Sequence, residues 1–335
     1  MTTEKHLELL IAASVWPDAN TRDAIWRDLH LPALSLLYGK SGKSKNTQLC
    51  IAAKLAACFG LQEIPVAPVL LAKLGRDIAP GYWLCVDPVT LRVDRDHLTL
   101  LGEPYLNISD SEATALVAAL NQLYQADGYE FVMASARRWF VRFPSKPNLQ
   151  FTPLKEALGR NLNEVLPTGE TALQFSALLN EMQMLLYAHP VNDARDAAGQ
   201  LLINSVWIWG GGEYPARVSP SLGKPVFGGD ELVQALSQQK STPAQFSDLS
   251  DLNAIVVLDD LELHAVYGAG YEWQQVWLRW EASWFAPALA ALKAGQVDRI
   301  TLHFSDVGEV CSVTKSDLWR FWRKADLPRY LNEMA

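Results

Sequence analysis

Acidic side chains close or follow three of the apolar runs in this chain. Asp259 and Asp260 end NAIVVLDD, Asp306 ends RITLHFSD, and Asp18 follows LELLIAASVWP. Carboxylate oxygens are the donors that hard divalent cations take, and imidazole joins them at transition-metal sites. Asp260 and His264 stand four residues apart, so on a helical turn they project from one side, as two metal ligands do. A structural hydrogen bond uses the same spacing. The stretch LLINSVWIWGGGEYP, residues 201–215, stops an apolar run on Gly210, Gly211 and Gly212. Three glycines at a strand end let the backbone turn sharply or let something come close to it, and they expose amide groups to an anion. GKSGKS, residues 39–44, has Leu37 where a phosphate loop needs its first glycine. It also follows a helix-like segment where that loop follows a strand, so it is read as a flexible basic loop. No Ser–His–Asp order emerges, nor a cysteine nucleophile with a paired histidine.

Strands and helices must carry these groups. LELLIAASVWP reads as a buried strand stopped by Pro17, and NTQLCIAAKLAACFG as a helix closed by Gly60. The texture then changes: YWLCVDPVTL and HLTLLG read as strands. SDSEATALVAALNQLYQADG reads as a helix with Ser109 and Glu112 in a capping box. YEFVMASARRWFVRFP reads as a hairpin turning near Ala134–Ala136. This places an inserted α+β subdomain at residues 63–165, between core segments 1–62 and 166–335. From Thr171 onward helices and strands alternate and TKSDLWRFWRK closes the chain as a helix, the pattern of a mostly parallel sheet covered on both faces. Ligands in such sheets gather beyond the carboxyl ends of the strands. Trp273, Trp277, Trp280 and Trp284 repeat on one helical face and are read as core.

Composition narrows the class. The chain has 335 residues, 49% hydrophobic and 20% charged, with a net charge of −8. That is globular, and it excludes a dedicated nucleic-acid binder, which needs a basic stripe. The basic, aromatic LWRFWRK is read as a solvated amphipathic end. Cys50, Cys58, Cys85 and Cys311 have no metal spacing and read as small buried residues of a reducing compartment. The start of the chain lacks a basic leader, Glu8 interrupts its apolar segment, and no run reaches the roughly 18 residues of a membrane span. A cytoplasmic protein without nucleic-acid or membrane partners is expected.

The segment HPVNDARDAAGQLLINSVWIWGGGEYP, residues 189–215, resembles a signature of the archaeal-type cofactor-independent phosphoglycerate mutases. His189, Pro190, Val191, Asn192, Arg195, Gly199, Asn204, Gly210, Gly212 and Pro215 carry it. VDPVTLRVDRDHLTLLG with ISDSEATALVAAL is similar to the start of that family's inserted domain, and RRWFVRF to the strand that follows. Closer still, the chain looks like a proteobacterial group labelled phosphoglycerate mutase or regulatory protein RpfE. The resemblance implies an alkaline-phosphatase-like fold: a three-layer α/β/α core with a mostly parallel sheet and an inserted α+β subdomain. It also implies phosphoryl transfer through a phosphoserine, with two divalent metals on carboxylates and histidines. Several of the family's groups are missing. Its first metal-binding acid is followed by glycine at the first strand's end, where this chain reads WPDAN, leaving Asp18 as the remnant. Asp260 and His264 preserve one acid–histidine pair, Asp306 lacks its histidine, and Ser44 and Thr47 stand in for the nucleophile without its usual neighbours. Trp209 replaces an arginine ahead of the glycines. The expectation is a degenerate, metal-free relative in which His189, Asn192, Arg195, Asn204 and Gly210–Gly212 bind a phosphorylated small molecule, or which binds a protein partner in regulation. The alternatives are an active mutase or phosphatase using manganese or zinc, and a pure interaction module.

Overall fold

The computed structural model describes residues 4–27, 29–45, 51–94, 97–102, 105–216, 218, 223–238 and 242–325. Two units make up the chain: Met1–Glu63 with Val218–Ala335, and Ile64–Arg217.

The first unit is built on a six-stranded sheet. Its order is Val226–Gly228, Ile255–Leu258, His6–Ile11, Arg299–Phe304, Glu309–Thr314 and Gly42–Lys45. The first four strands run parallel and the last two antiparallel. Alternation along His6–Ile11 sends Leu7, Leu9 and Ile11 to one face, where they are fully buried. Helices Arg22–Arg27, Pro32–Lys40, Gly270–Trp280 and Ala286–Ala294 cover that face. The tryptophan stripe is their core: Trp273 meets Trp16, Trp26 and Trp277 edge-on at 5.7, 5.3 and 5.8 Å. On the opposite face Lys54 of helix Ile51–Cys58 pairs with Glu8, and Val233 of helix Glu231–Ser237 packs on Gly228 and Val257. The unit is therefore a three-layer α/β/α sandwich with a mostly parallel sheet. Among the described residues no helix is long and apolar enough to cross a membrane.

A long-range contact shapes the helical layer. Between helices Gly270–Trp280 and Ala286–Ala294 the backbone widens into a π turn, Glu281–Phe285, followed by Pro287, which has no amide to donate. Buried Glu281 accepts from the Ala33 and Leu34 amides at 2.5 and 3.1 Å. These belong to the first turn of Pro32–Lys40, whose cap residue Leu31 has no side-chain acceptor.

The second unit folds around the 14-residue strand Gly81–Asp94. Arg138–Phe143, His97–Leu101 and Ser205–Tyr214 all pair antiparallel with it, and Glu130–Ser135 extends the sheet beyond Arg138–Phe143. Helices Asp110–Tyr124 and Ala172–Tyr187 bury their apolar faces against this sheet. The capping box forms as expected, with the Ser109 hydroxyl accepting from the Glu112 amide and the Glu112 carboxylate accepting from the Ser109 amide at 2.8 Å.

Three expectations change. The second boundary lies at 217/218, not 165, because the apolar strand Ser205–Tyr214 adds to Gly81–Asp94 and keeps residues 166–217 in the inserted unit. The basic loop at residues 39–44 is instead the end of a helix and an edge strand, Gly42–Lys45, whose exposed lysines discourage further pairing. The expected closing helix is only a 3₁₀ turn, Lys315–Trp319.

Inside the sandwich Glu8 is buried mid-strand and meets a histidine and two lysines: His303 Nε2 at 3.0 Å, Lys224 Nζ at 2.7 Å and Lys54 Nζ at 3.1 Å. Burial pushes its pKa up, but the bonds to His303, Lys224 and Lys54 outweigh burial and hold it far below the ordinary carboxylate range. The stability this lends is complete above the unfolded value, about pH 4.3, and drains away as pH falls below it. Glu8→Gln is expected to cost about 1–2 kcal/mol at pH 7, since it removes the charge that two part-buried lysines share, and less at pH 3. Urea unfolding of both proteins at the two pH values measures this; an equal loss at each would rule out the charge as its source.

Candidate functional site

The carboxyl ends of the parallel strands hold the acids singled out above. The first strand ends at Ile11, and Ala12 and Ala13 follow, well short of Asp18. Ala13 has φ +50°, a left-handed conformation that suits glycine better than alanine. Strand His6–Ile11 is thus followed by Ala12–Ala13 rather than by an acid and a glycine, and Asp18 stands further along the chain. Asp18 lies on an exposed turn, accepting from the Thr21 hydroxyl at 2.7 Å and the Asn20 amide at 3.0 Å. The Thr21 bond, then the Asn20 amide, lowers its pKa.

Asp306 sits just beyond strand Arg299–Phe304. Its oxygens accept from the Ser14 hydroxyl at 2.5 Å and the Val15 amide at 2.7 Å. Burial raises its pKa, and these donors pull it back in part. Asp260 forms an exposed ion pair with Arg279 at 2.6 Å. His264 lies on the short helix Leu261–Val266 that Asp260 precedes. Among the described residues no three His, Cys, Asp or Glu side chains are grouped to hold a metal ion. The donor chemistry agrees: Asp306 is bonded to Ser14 and Val15, Asp260 faces Arg279 and Asp18 closes a local turn. These residues do not fit a binuclear metal centre. Ser44 lies on the exposed edge strand opposite Val310 rather than at a helix start, and Thr47 is outside the described residues.

The segment 189–215 belongs to the other unit, and its polar side chains face the backbone. Asn192 donates to the Leu186 and Ile203 carbonyls at 2.7 and 3.0 Å and accepts from the Ile203 amide at 2.8 Å. Buried Arg195 donates to the Leu201 and Asn107 carbonyls at 2.6 and 2.9 Å and to Glu112 at 2.8 Å. His189 caps helix Pro190–Ala197, its Nδ1 accepting from the Val191 amide at 3.2 Å. Asn204 imitates a strand partner of Leu91, accepting from its amide at 2.7 Å and donating to its carbonyl at 3.0 Å.

The glycines are spaces for neighbours. Gly210 has φ +63°, and a Cβ there would lie 2.9 Å from Val66. A Cβ on Gly211 would lie 2.6 Å from the Tyr82 hydroxyl, and one on Gly212 would lie 2.5 Å from Pro65. The something that approaches this backbone is the chain itself.

A cavity elsewhere in this unit escaped the sequence reading. It has a volume of about 50 Å³ and is walled by Asp87, Pro88, Gly102, Arg137 and Arg138 among others. Such a space holds a few waters or one small anion. Arg138 Nη1 contacts both Asp87 oxygens at 2.6 Å. Trp209 Nε1 donates to Asp87 at 2.6 Å, and the Arg138 guanidinium lies 5.7 Å from the Trp209 ring centre. Trp209 therefore helps to neutralise a buried carboxylate. Two adjacent arginines at a cavity wall suit an oxyanion, with Asp87 offsetting part of their charge. The signals were a lone acid inside YWLCVDPVTL and paired arginines at a hairpin turn.

Residues 89–192 match the family model described as 2,3-bisphosphoglycerate-independent phosphoglycerate mutase. A probable enzyme of that name from Geobacter sulfurreducens is 28% identical over 40% of this chain and 34% of its own length. One from Methanosarcina barkeri is 31% identical over 40% of this chain and 35% of its own length. Over this part, the chain is similar to cofactor-independent phosphoglycerate mutases. The matches span about a third of the length of these mutases. The family-model match contains Glu112, Arg137, Arg138, His189 and Asn192 and ends before Asn204 and the glycines. Asp18, Ser44, Asp260, His264 and Asp306 also lie outside it. Among solved structures, a cofactor-independent phosphoglycerate mutase from Thermoplasma acidophilum is 14% identical, covering 93% of this chain and 90% of that one, with a TM-score of 0.39. A Pyrococcus horikoshii protein is 14% identical, covering 93% and 87%, with a TM-score of 0.48.

If Asn192 and Gly211 serve folding, their substitution must weaken the protein with no ligand present. Asn192→Ala leaves two carbonyls and an amide unpaired, and about 3 kcal/mol of stability should go. Gly211→Ala drives a methyl into Tyr82 and should remove about 2 kcal/mol. Chemical denaturation without ligand checks both; unchanged midpoints would return these positions to ligand binding.

Proposed function

We propose that this chain is a degenerate relative of the cofactor-independent phosphoglycerate mutases that works without a metal pair and binds a phosphorylated small molecule in the cytoplasm, in a regulatory role. One observation carries the reading. At the end of the first strand, where the resembled enzymes bring an acid, this chain has Ala12–Ala13, and the neighbouring Asp306 already takes the Ser14 hydroxyl and Val15 amide. Two adjacent dications need several converging carboxylates to offset their charge, and among the described residues no three His, Cys, Asp or Glu side chains are grouped to hold an ion. The anion-binding half of the reading is supported by the Arg137–Arg138 cavity rather than by the glycine segment.

The active alternative would use Ser44 or Thr47 as nucleophile and Asp18, Asp260, His264 and Asp306 for manganese or zinc. Elemental analysis of the purified chain separates the two, together with a phosphoglycerate mutase assay in the presence of either metal. No stoichiometric metal and no turnover are expected, while millimolar 3-phosphoglycerate raises the melting midpoint by about 2 °C. Arg137→Ala abolishes that shift. Stoichiometric manganese or zinc, with turnover lost in Asp260→Ala, would establish the active enzyme. Absence of any shift would count against a small ligand and for a pure interaction module.

A further inference from the structure

Large aromatic side chains seldom stand together in water without a reason. In the unit that contains the parallel sheet, Trp319, Phe321 and Trp322 are 81%, 88% and 67% exposed. They occupy the end of the 3₁₀ turn Lys315–Trp319 and the residues just after it. Phe321 and Trp322 pack edge-on, 5.1 Å between ring centres.

This is not a fraying end. The turn opens with a capping box in which the Thr314 amide and hydroxyl both donate to Asp317 at 2.8 Å. Lys40, itself buried, then reaches across and donates to the Arg320 and Arg323 carbonyls at 2.7 and 2.5 Å. The Arg323 guanidinium returns the contact to the Lys40 and Ser41 carbonyls. A buried ammonium is costly unless fully bonded, and here its bonds hold the backbone that displays the three rings. The core needs none of these rings, so their display is a surface property.

The surroundings are basic. Lys315 and Lys324 are exposed beside the rings, and the edge strand that leaves Ser41 adds exposed Lys43 and Lys45. The nearby acids are bonded inward: Asp317 meets Arg320 at 2.5 Å and Glu309 accepts from the Tyr38 hydroxyl at 3.1 Å. This positive, aromatic corner belongs to a chain of net charge −8. A second copy of the corner would be repelled, so self-pairing is disfavoured. Phe321 and Trp322 cover one another edge-on instead of standing apart as stacking platforms for bases. Exposed indole and phenyl rings flanked by lysine suit the headgroup layer of an anionic bilayer.

We propose that the turn around Trp319, Phe321 and Trp322, locked by Lys40, docks this protein reversibly on anionic phospholipid surfaces. The contact is peripheral and reverses the expectation of no membrane partner. It is independent of the metal chemistry and of the cavity in the other unit.

Vesicle sedimentation with the full chain tests it. Binding is expected to vesicles of phosphatidylcholine with about 30% phosphatidylglycerol, to weaken as salt rises, and to be absent on phosphatidylcholine alone. Replacing Trp319, Phe321 and Trp322 together with serine should reduce binding roughly tenfold or more at an unchanged melting midpoint. Lys40→Met, which keeps the rings but frees the turn, should weaken binding to a smaller degree. The proposal fails if the wild type does not sediment with anionic vesicles, or if the serine variant sediments equally. It fails equally if light scattering shows a dimer that the serine variant abolishes, or if single-stranded RNA is bound in preference to the vesicles.

Discussion

Asp306 stands just beyond the end of a parallel strand, where the Ser14 hydroxyl and the Val15 amide both donate to its carboxylate. Much of the functional reading follows from this contact. An acid at a strand end is attractive to a cation only while its oxygens remain available. Here the turn after the first strand folds back and supplies the donors itself, with Ala13 in a conformation better suited to glycine.

The same rule, that a buried polar group must find a partner, explains the inserted unit. Asn192, Arg195 and Asn204 look like ligand-binding residues because they are polar and sit in a specific pattern. Each bonds to backbone outside regular pairing: the turn after helix Ala172–Tyr187, the loop before strand Ser205–Tyr214, and the continuation of Gly81–Asp94. A pattern of this kind signals a demanding fold as readily as a site. The family-model match falls within this unit and includes Asn192, but ends before Arg195 and Asn204.

Charge is handled differently at two of the buried carboxylates of the sandwich, Glu8 and Glu281. Glu8 is surrounded by cations and held ionised. Glu281 faces amides at the start of a helix, and burial, only partly opposed by those amides, raises its pKa. Both join segments far apart in sequence, so they specify which elements meet as well as how strongly.

How much was legible beforehand depended on the range of the interaction. The capping box at Ser109 and Glu112, the hairpin at residues 130–143 and the tryptophan stripe at 273–284 could be read directly, because each is a pattern within one or two turns of chain. The alternation of apolar runs and helical segments likewise determined an α/β core with an inserted α+β unit. The boundary at 217 was not legible, since an apolar strand does not announce its partner; only pairing with Gly81–Asp94 decided it. Nor did the Arg137–Arg138 cavity, the Asp87–Trp209 contact, the Ser14–Asp306 bond or the Lys40 lock show in advance. Each depends on groups brought together from tens to hundreds of residues away, and hydrogen bonds and packing act over a few ångströms of space, whatever the separation along the chain.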